Sequence, residues 1–188
     1  GNEPEYAKRH QQHCNDADDG EGACRDIVDA DTKAGELAER SRLHHRHIRV
    51  DRLQMVVGGR GLVLKSPTEE FDEREPFTTV RFTGELEIVT ELEAGPVEVV
   101  NLMARRGAAE IELLALREPG DRPLSAGTHL VYAVFGNCSI RLNSEEFAVP
   151  HGSTLKVELT EPSRLALVSG LAVLGSIQPQ PLTNRPDG

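Results

Sequence analysis

Val56-Val57-Gly58-Gly59-Arg60-Gly61-Leu62-Val63-Leu64-Lys65 returns, in changed letters, as Val134-Phe135-Gly136-Asn137-Cys138-Ser139-Ile140-Arg141-Leu142-Asn143. Each stretch is an apolar run, a glycine-marked break and a second apolar run. Each is soon followed by Glu-Glu-Phe, at Glu69-Glu70-Phe71 and Glu145-Glu146-Phe147. Short apolar runs joined through glycine read as strand, turn, strand, so both stretches are expected to be hairpins. A hairpin that recurs with the same tripeptide behind it predicts one β-unit present twice. The simpler alternative is two unrelated hairpins that look alike.

The texture continues outward from Val50. Strands are expected at Leu53–Val57, Gly61–Lys65, Thr78–Thr83, Leu86–Leu92, Val97–Met103, Glu110–Leu116, Leu130–Phe135, Ile140–Asn143, Thr154–Thr160, Leu165–Ser169 and Ala172–Ile177. Leu155, Val157 and Leu159 alternate with Lys156 and Glu158, the period-two pattern of a strand with one wet face. Gly95-Pro96, Pro119-Gly120 and Pro150-His151-Gly152 supply further breaks. Many short strands with little helical patterning predict an all-β chain of sandwiches or barrels. Before Val50 the texture differs. Residues 1–26 contain no Val, Ile, Leu, Met or Phe, so residues 1–22 are expected to be a polar segment with little to bury. Ala30 to Arg42 reads as a short helix capped by Asp31. The division expected is 23–116 for a first barrel, 117–180 for a second with strand exchange between them allowed, and 181–188 as a tail.

The charge balance narrows the partners. The 188 residues carry 21 Lys+Arg against 31 Asp+Glu, a net −10, which repels phosphate backbones and argues against nucleic acid as partner. Trp is absent and aromatics are 4%, so a stacking platform for bases or sugars is not expected. No apolar run approaches the roughly 20 residues of a membrane-spanning helix, so no membrane partner is expected. Three cysteines, Cys14, Cys24 and Cys138, are too few and too odd for a disulfide scaffold. With no basic and apolar leader in the first residues, a cytoplasmic location is the expectation. Open sheet edges make a homodimer a possible assembly.

Gly95-Pro96-Val97-Glu98-Val99-Val100-Asn101-Leu102-Met103-Ala104-Arg105-Arg106-Gly107 resembles the hallmark of the HutD/Ves family: Gly-Pro-Val, an acidic residue, then Asn-Leu-Met-x-Arg-Arg-Gly. Val50-Asp51-Arg52, running into Val56-Val57-Gly58-Gly59-Arg60-Gly61-Leu62, is similar to that family's Val-Asp-Arg run into a glycine hairpin. Arg25-Asp26-Ile27, after Gly20-Glu21-Gly22, is a fainter echo of its Thr-Arg-Glu-Ile segment. The likeness spans about residues 20–177. It implies a bicupin, two RmlC-like cupin barrels in one chain, and a small-molecule-binding accessory or regulatory protein linked to histidine utilisation. Two features depart from the family pattern. Its Trp-Lys-Asn before the glycines is missing, and His44-His45-Arg46-His47 stands where an aromatic Phe-Ser-x-Phe stretch is usual.

The residues offer two chemistries. In the first, Asn101 presents an amide that both donates and accepts, and Arg105 or Arg106 presents a guanidinium that clamps a carboxylate. Arg25 would join them if its segment folded over the site. The chain is then a non-catalytic binder of a small carboxylate metabolite, with no cofactor, and a histidine-catabolism acid such as urocanate or formylglutamate is what the resemblance implies. In the second, His45-x-His47-x3-Asp51-x6-Gly58 follows the metal motif of metal-binding cupins. His45 and His47, two apart on a strand, share a face; with Asp51 and Glu87 they would hold one divalent transition metal, and the chain would be a metal-dependent cupin enzyme. A second-motif histidine is lacking. The competing reading, which the family resemblance implies, is a structural pair of Asp51 and Arg52. In the second unit Leu155 stands where a ligand would, so that unit is expected to be structural. The acidic runs Asp16 to Asp19 and Glu69 to Glu75 read as solvated surface. No nucleophile elbow, P-loop or dinucleotide fingerprint occurs.

Overall fold

Residues 49–180 are described in a computed structural model of the chain. They form twelve strands and no helix: β1 (Val50–Gly58), β2 (Leu62–Lys65), β3 (Glu70–Glu73), β4 (Thr79–Thr83), β5 (Val89–Leu92), β6 (Glu98–Arg105), β7 (Ala109–Leu116), β8 (Gly120–Leu124), β9 (Gly127–Leu142), β10 (Glu145–Val149), β11 (Thr154–Leu159) and β12 (Ser163–Pro179). Every pairing is antiparallel. Two three-stranded sheets have the orders β4-β1-β6 and β3-β2-β5. A six-stranded sheet runs β10-β9-β12-β7, with β11 added on β9 and β8 on β12.

The same pairing diagram occurs twice. In the N-terminal half β1 lies between β4 and β6, and β2 lies between β3 and β5. In the C-terminal half the first part of β9 lies between β11 and the last part of β12. Its second part lies between β10 and the first part of β12. The breaks at Gly58–Gly61 and at Gly95 in the first half thus become, in the second, irregularities inside two long strands. Gly136-Asn137 is not a hairpin, because β9 runs through it as one strand of 16 residues, with Gly136 at φ 63°. Leu165–Ser169 and Ala172–Ile177 are likewise one strand, β12, whose register with β9 shifts at Ser169 and Leu171. A glycine at positive φ can bend an extended chain without reversing it, and local sequence does not distinguish the two.

Other boundaries differ too. Leu86–Ile88 lie outside β5, which begins at Val89. Strands β3, β8 and β10 are not among the expected strands: Glu-Phe-Asp-Glu, Gly-Asp-Arg-Pro-Leu and Glu-Glu-Phe-Ala-Val carry charge or proline, which suits the edge positions they take. The helix expected at Ala30–Arg42 lies outside the described residues. Strand β7 pairs along Ala109–Leu116 with β12.

Alternation sorts the side chains into three apolar layers. Leu53, Met55 and Val57 of β1 and Val100, Leu102 and Ala104 of β6 pack against Ile111, Leu113, Val134 and Val173 between the two halves. The opposite face of β1 and β6 carries Val56 and Val99, which meet Leu62, Leu64, Phe82 and Val97 inside the first half. Val131, Ile140, Leu165, Leu167 and Leu174 fill the second half, with Phe147 and Leu155 against them. Each such side chain contributes about 1.5–3 kcal/mol on burial. Cys138 lies in the last cluster.

Candidate binding site

The inner face of the first half is apolar at one end and polar at the other. On β1, Arg52, Gln54 and Val56 share that face by alternation. Arg52 stands opposite Met103 and Phe82, and Gln54 opposite Asn101 and Val80. On β3, Phe71 and Glu73 face Leu64 and Leu62 across the ladder, so both turn toward the same interior. Directly opposed residues share a face of the sheet, which is how two separate sheets bring Arg52, Gln54, Glu73, Asn101 and Met103 together.

Glu73 is the unusual member. Its side chain has 0% exposure, although it lies in the Glu69–Glu75 run read as solvated surface. The reason is parity: in a strand every second residue turns inward, and composition alone does not say which. Gln54 Nε2–H donates to Glu73 Oε2 at 2.9 Å. Burial pushes the carboxyl up to about 7, against the opposing effect of that amide and of the Val56 backbone N–H. Glu73 Oε1 and Asn101 Oδ1 are buried and make no hydrogen bond within the described residues. An unsatisfied buried polar atom costs about 1–3 kcal/mol, so the Asn101 oxygen, joined by Glu73 Oε1 when that carboxyl is ionised, favours a molecule that brings N–H or O–H donors.

Beside them, the Arg52 guanidinium lies 5.6 Å from the centre of the Phe82 ring, and its Nε–H points at Met103 Sδ, 3.2 Å away. Phe82 in turn leans on Phe71, with ring centres 5.3 Å apart. Arg105, two residues beyond Met103 on the same face of β6, is exposed at the rim. The arrangement offers acceptors inside, a cation over an aromatic wall, and a second cation at the edge.

The other sequence-selected residues are placed differently. Arg106 reaches across to Asp51: Nε–H donates to Oδ1 at 2.9 Å, while Nη2 serves Glu85 Oε2 at 2.9 Å and the Val50 carbonyl at 3.1 Å. These contacts raise the Arg106 guanidinium further and lower Glu85. Asp51 therefore pairs with Arg106, not with its neighbour Arg52, whose side chain points to the other face of β1 and meets Phe82 and Met103. Glu87 is exposed in the β4–β5 connection. Arg25, His45 and His47 lie outside the described residues, among which no group of three His, Cys, Asp or Glu side chains gathers to hold a metal. Because the Arg106 cluster is exposed, Arg106→Ala is expected to shift the melting temperature only slightly, and about 1 M salt to erase the difference.

Sequence reasoning selected Asn101 and Arg105 but missed Gln54 and Glu73. A buried glutamate in a short acidic strand leaves no trace in composition. It also missed His129, buried on the inner face of the second half with Ser176. His129 Nε2 faces the Ser125 carbonyl at 2.9 Å, an acceptor, so that nitrogen carries the proton; Nδ1 accepts from the Ser176 hydroxyl at 3.0 Å. Both ring nitrogens are satisfied within a packed aliphatic interior, a structural role.

Comparison with known proteins adds three findings. The HutD family model matches residues 46–174. The conserved protein of unknown function from Pseudomonas aeruginosa PAO1 superposes with a TM-score of 0.60 at 19% identity, over 69% of this chain and 70% of its own. HutD from Pseudomonas fluorescens SBW25, solved in a formate condition, superposes with a TM-score of 0.57 at 20% identity, over 70% of each chain. No curated protein matches.

Proposed function

We propose that this chain, which belongs to the HutD family, is a cupin-type binding protein of two barrels that holds a small carboxylate metabolite in the first of them, without catalysis. The twice-repeated pairing diagram supports the two-barrel reading, with residues 23–116 and 117–180 as units that exchange β7. The observation that carries the function is the polar end of the first interior. It places Asn101 Oδ1, an acceptor without a partner among the described residues, and Glu73 Oε1, an acceptor when the carboxyl is ionised and a hydroxyl donor when it is protonated, on the face whose rim bears Arg105. A ligand with a carboxylate for the arginine and an N–H or O–H for Asn101 Oδ1, and for Glu73 Oε1 when it is ionised, would satisfy all three at once. The family resemblance favours an acid of histidine breakdown and an accessory or regulatory role in histidine utilisation, in the cytoplasm. No described segment is a helix able to cross a membrane.

Titration calorimetry with urocanate and with formylglutamate tests this. At least one is expected to bind saturably. Arg105→Ala, at an exposed position, is expected to weaken binding about tenfold or more, as loss of a charge-assisted contact does, with the melting temperature unchanged. Asn101→Ala should weaken it as well. Heat signals indistinguishable from buffer for both acids, or full affinity in Arg105→Ala, would overturn the reading. Elemental analysis addresses the metal-dependent alternative. A stoichiometric transition metal that depends on His45 and His47 would replace the binding-protein reading with an enzyme one.

A further inference from the structure

A second polar site lies on the outer face of the C-terminal half. Leu165 and Leu167 of β12 point into the core, so Arg164 and Ala166 point outward. The register aligns two rows across three strands. Arg141 of β9 stands opposite Ala166, which stands opposite Asp121 of β8. One step along, the Asn143 N–H donates to the Arg164 carbonyl at 3.2 Å, and Arg164 stands opposite Pro123. The six residues border a cleft of about 560 Å³.

Two arginines without an ion pair beside a hollow are what call for a ligand. Arg141 and Arg164 are diagonal neighbours on one sheet face, about 7–8 Å apart by sheet geometry; Glu146 of β10 stands opposite Arg141 but accepts from the Ser139 hydroxyl, and Asp121 lies diagonal to Arg164. Neither forms an ion pair among the described residues, in a chain of net charge −10 where Arg74 and Arg106 do. Between them Ala166 is the smallest side chain that still has a Cβ, and it leaves a hollow. The amide of Asn143 is oriented by the Ser163 hydroxyl, which donates to Oδ1 at 2.7 Å, so its two N–H donors are directed away from that contact.

We infer that this cleft is an anion site, separate from the first interior, that takes the carboxylate or phosphate group of a small molecule between Arg141 and Arg164 with the Asn143 amide as third contact. Asp121, diagonal to Arg164, and Glu146, opposite Arg141, disfavour a second negative group there and suit a ligand whose other end carries a hydroxyl or amine.

The experiment titrates the full chain with inorganic phosphate and, separately, with acetate, reading arginine Nε–H and backbone amide resonances by NMR. Saturable shifts centred on Asn143, Ser163 and Arg164 are expected for at least one probe. Phosphate alone, acetate alone or both would identify the group accepted. The doubly substituted R141A/R164A chain should lose at least tenfold in affinity. R141Q and R164Q, which remove charge while keeping reach, should each lose part. Arg105→Ala should leave this site untouched, so failure here and failure of the first-interior reading are separable. Non-saturating shifts for both probes, or equal affinity in R141A/R164A, would overturn the inference.

Discussion

Glu73→Gln is expected to stabilise the protein at pH 8 and to flatten its stability between about pH 4.5 and about 7. The carboxyl holds its proton up to about 7 when folded, against an ordinary value of 4.5. Across that window the folded state therefore binds more protons than the unfolded state, and stability falls as pH rises through it. Below 4.5 both states are protonated and there is no loss; above about 7 the loss is complete. The difference between the two values corresponds to about 3 kcal/mol, to order of magnitude. Glutamine keeps the shape, accepts from Gln54 through its oxygen and carries no charge at any pH, so it removes the loss. Urea denaturation from pH 4 to 9 measures both proteins. A parent profile that is flat over this range, or a Gln variant less stable than the parent at pH 8, would show that Glu73 is not buried as described. A ligand that donates to Oε1 at pH 8 should reduce the gap, linking the measurement to the binding site.

Gly170→Ala should cost more than about 2 kcal/mol. Gly170 has φ +89°, and an added Cβ would come within 2.8 Å of the Asn137 carbonyl oxygen and of Cys138 Cα and Cβ. Backbone cannot step aside as the tip of a side chain can. The position matters because β12 leaves one set of partners for another there: before it the strand pairs with β8 and the second part of β9, after it with β7 and the first part of β9. Gly136→Ala is the control. It also has positive φ, 63°, but nothing lies within 4 Å of its would-be Cβ. Only the conformational penalty of about 1–2 kcal/mol remains. Chemical denaturation should rank the two variants in that order, and equal losses would mean that contact at Gly170 contributes nothing.

Period-two alternation and glycine punctuation made the β-class and most strand positions legible, because strand patterning is a local property. Asn101 and Arg105 were legible as candidates through a contiguous motif, and alternation puts both on one face of β6. Gly136 illustrates where locality ends. The same glycine chemistry that separates β1 from β2 merely bends β9, and the difference lies in which strands flank it. Gln54 and Glu73 illustrate it again. They come from β1 and β3, in different sheets, and meet only because both sheets turn one face to a common interior.

Sequence by itself determined that residues from Val50 onward are built of strands and that a cationic, amide-bearing strand follows Gly95-Pro96. The tertiary structure alone decided that an acidic run sends one carboxylate into the core, that Arg106 is taken up by Asp51 and Glu85, and that Arg141 and Arg164 stand side by side. The physical reason is range. Alternation and turn propensity act over a few residues, whereas burial, ion pairing and pKa depend on neighbours that only register and sheet packing bring near.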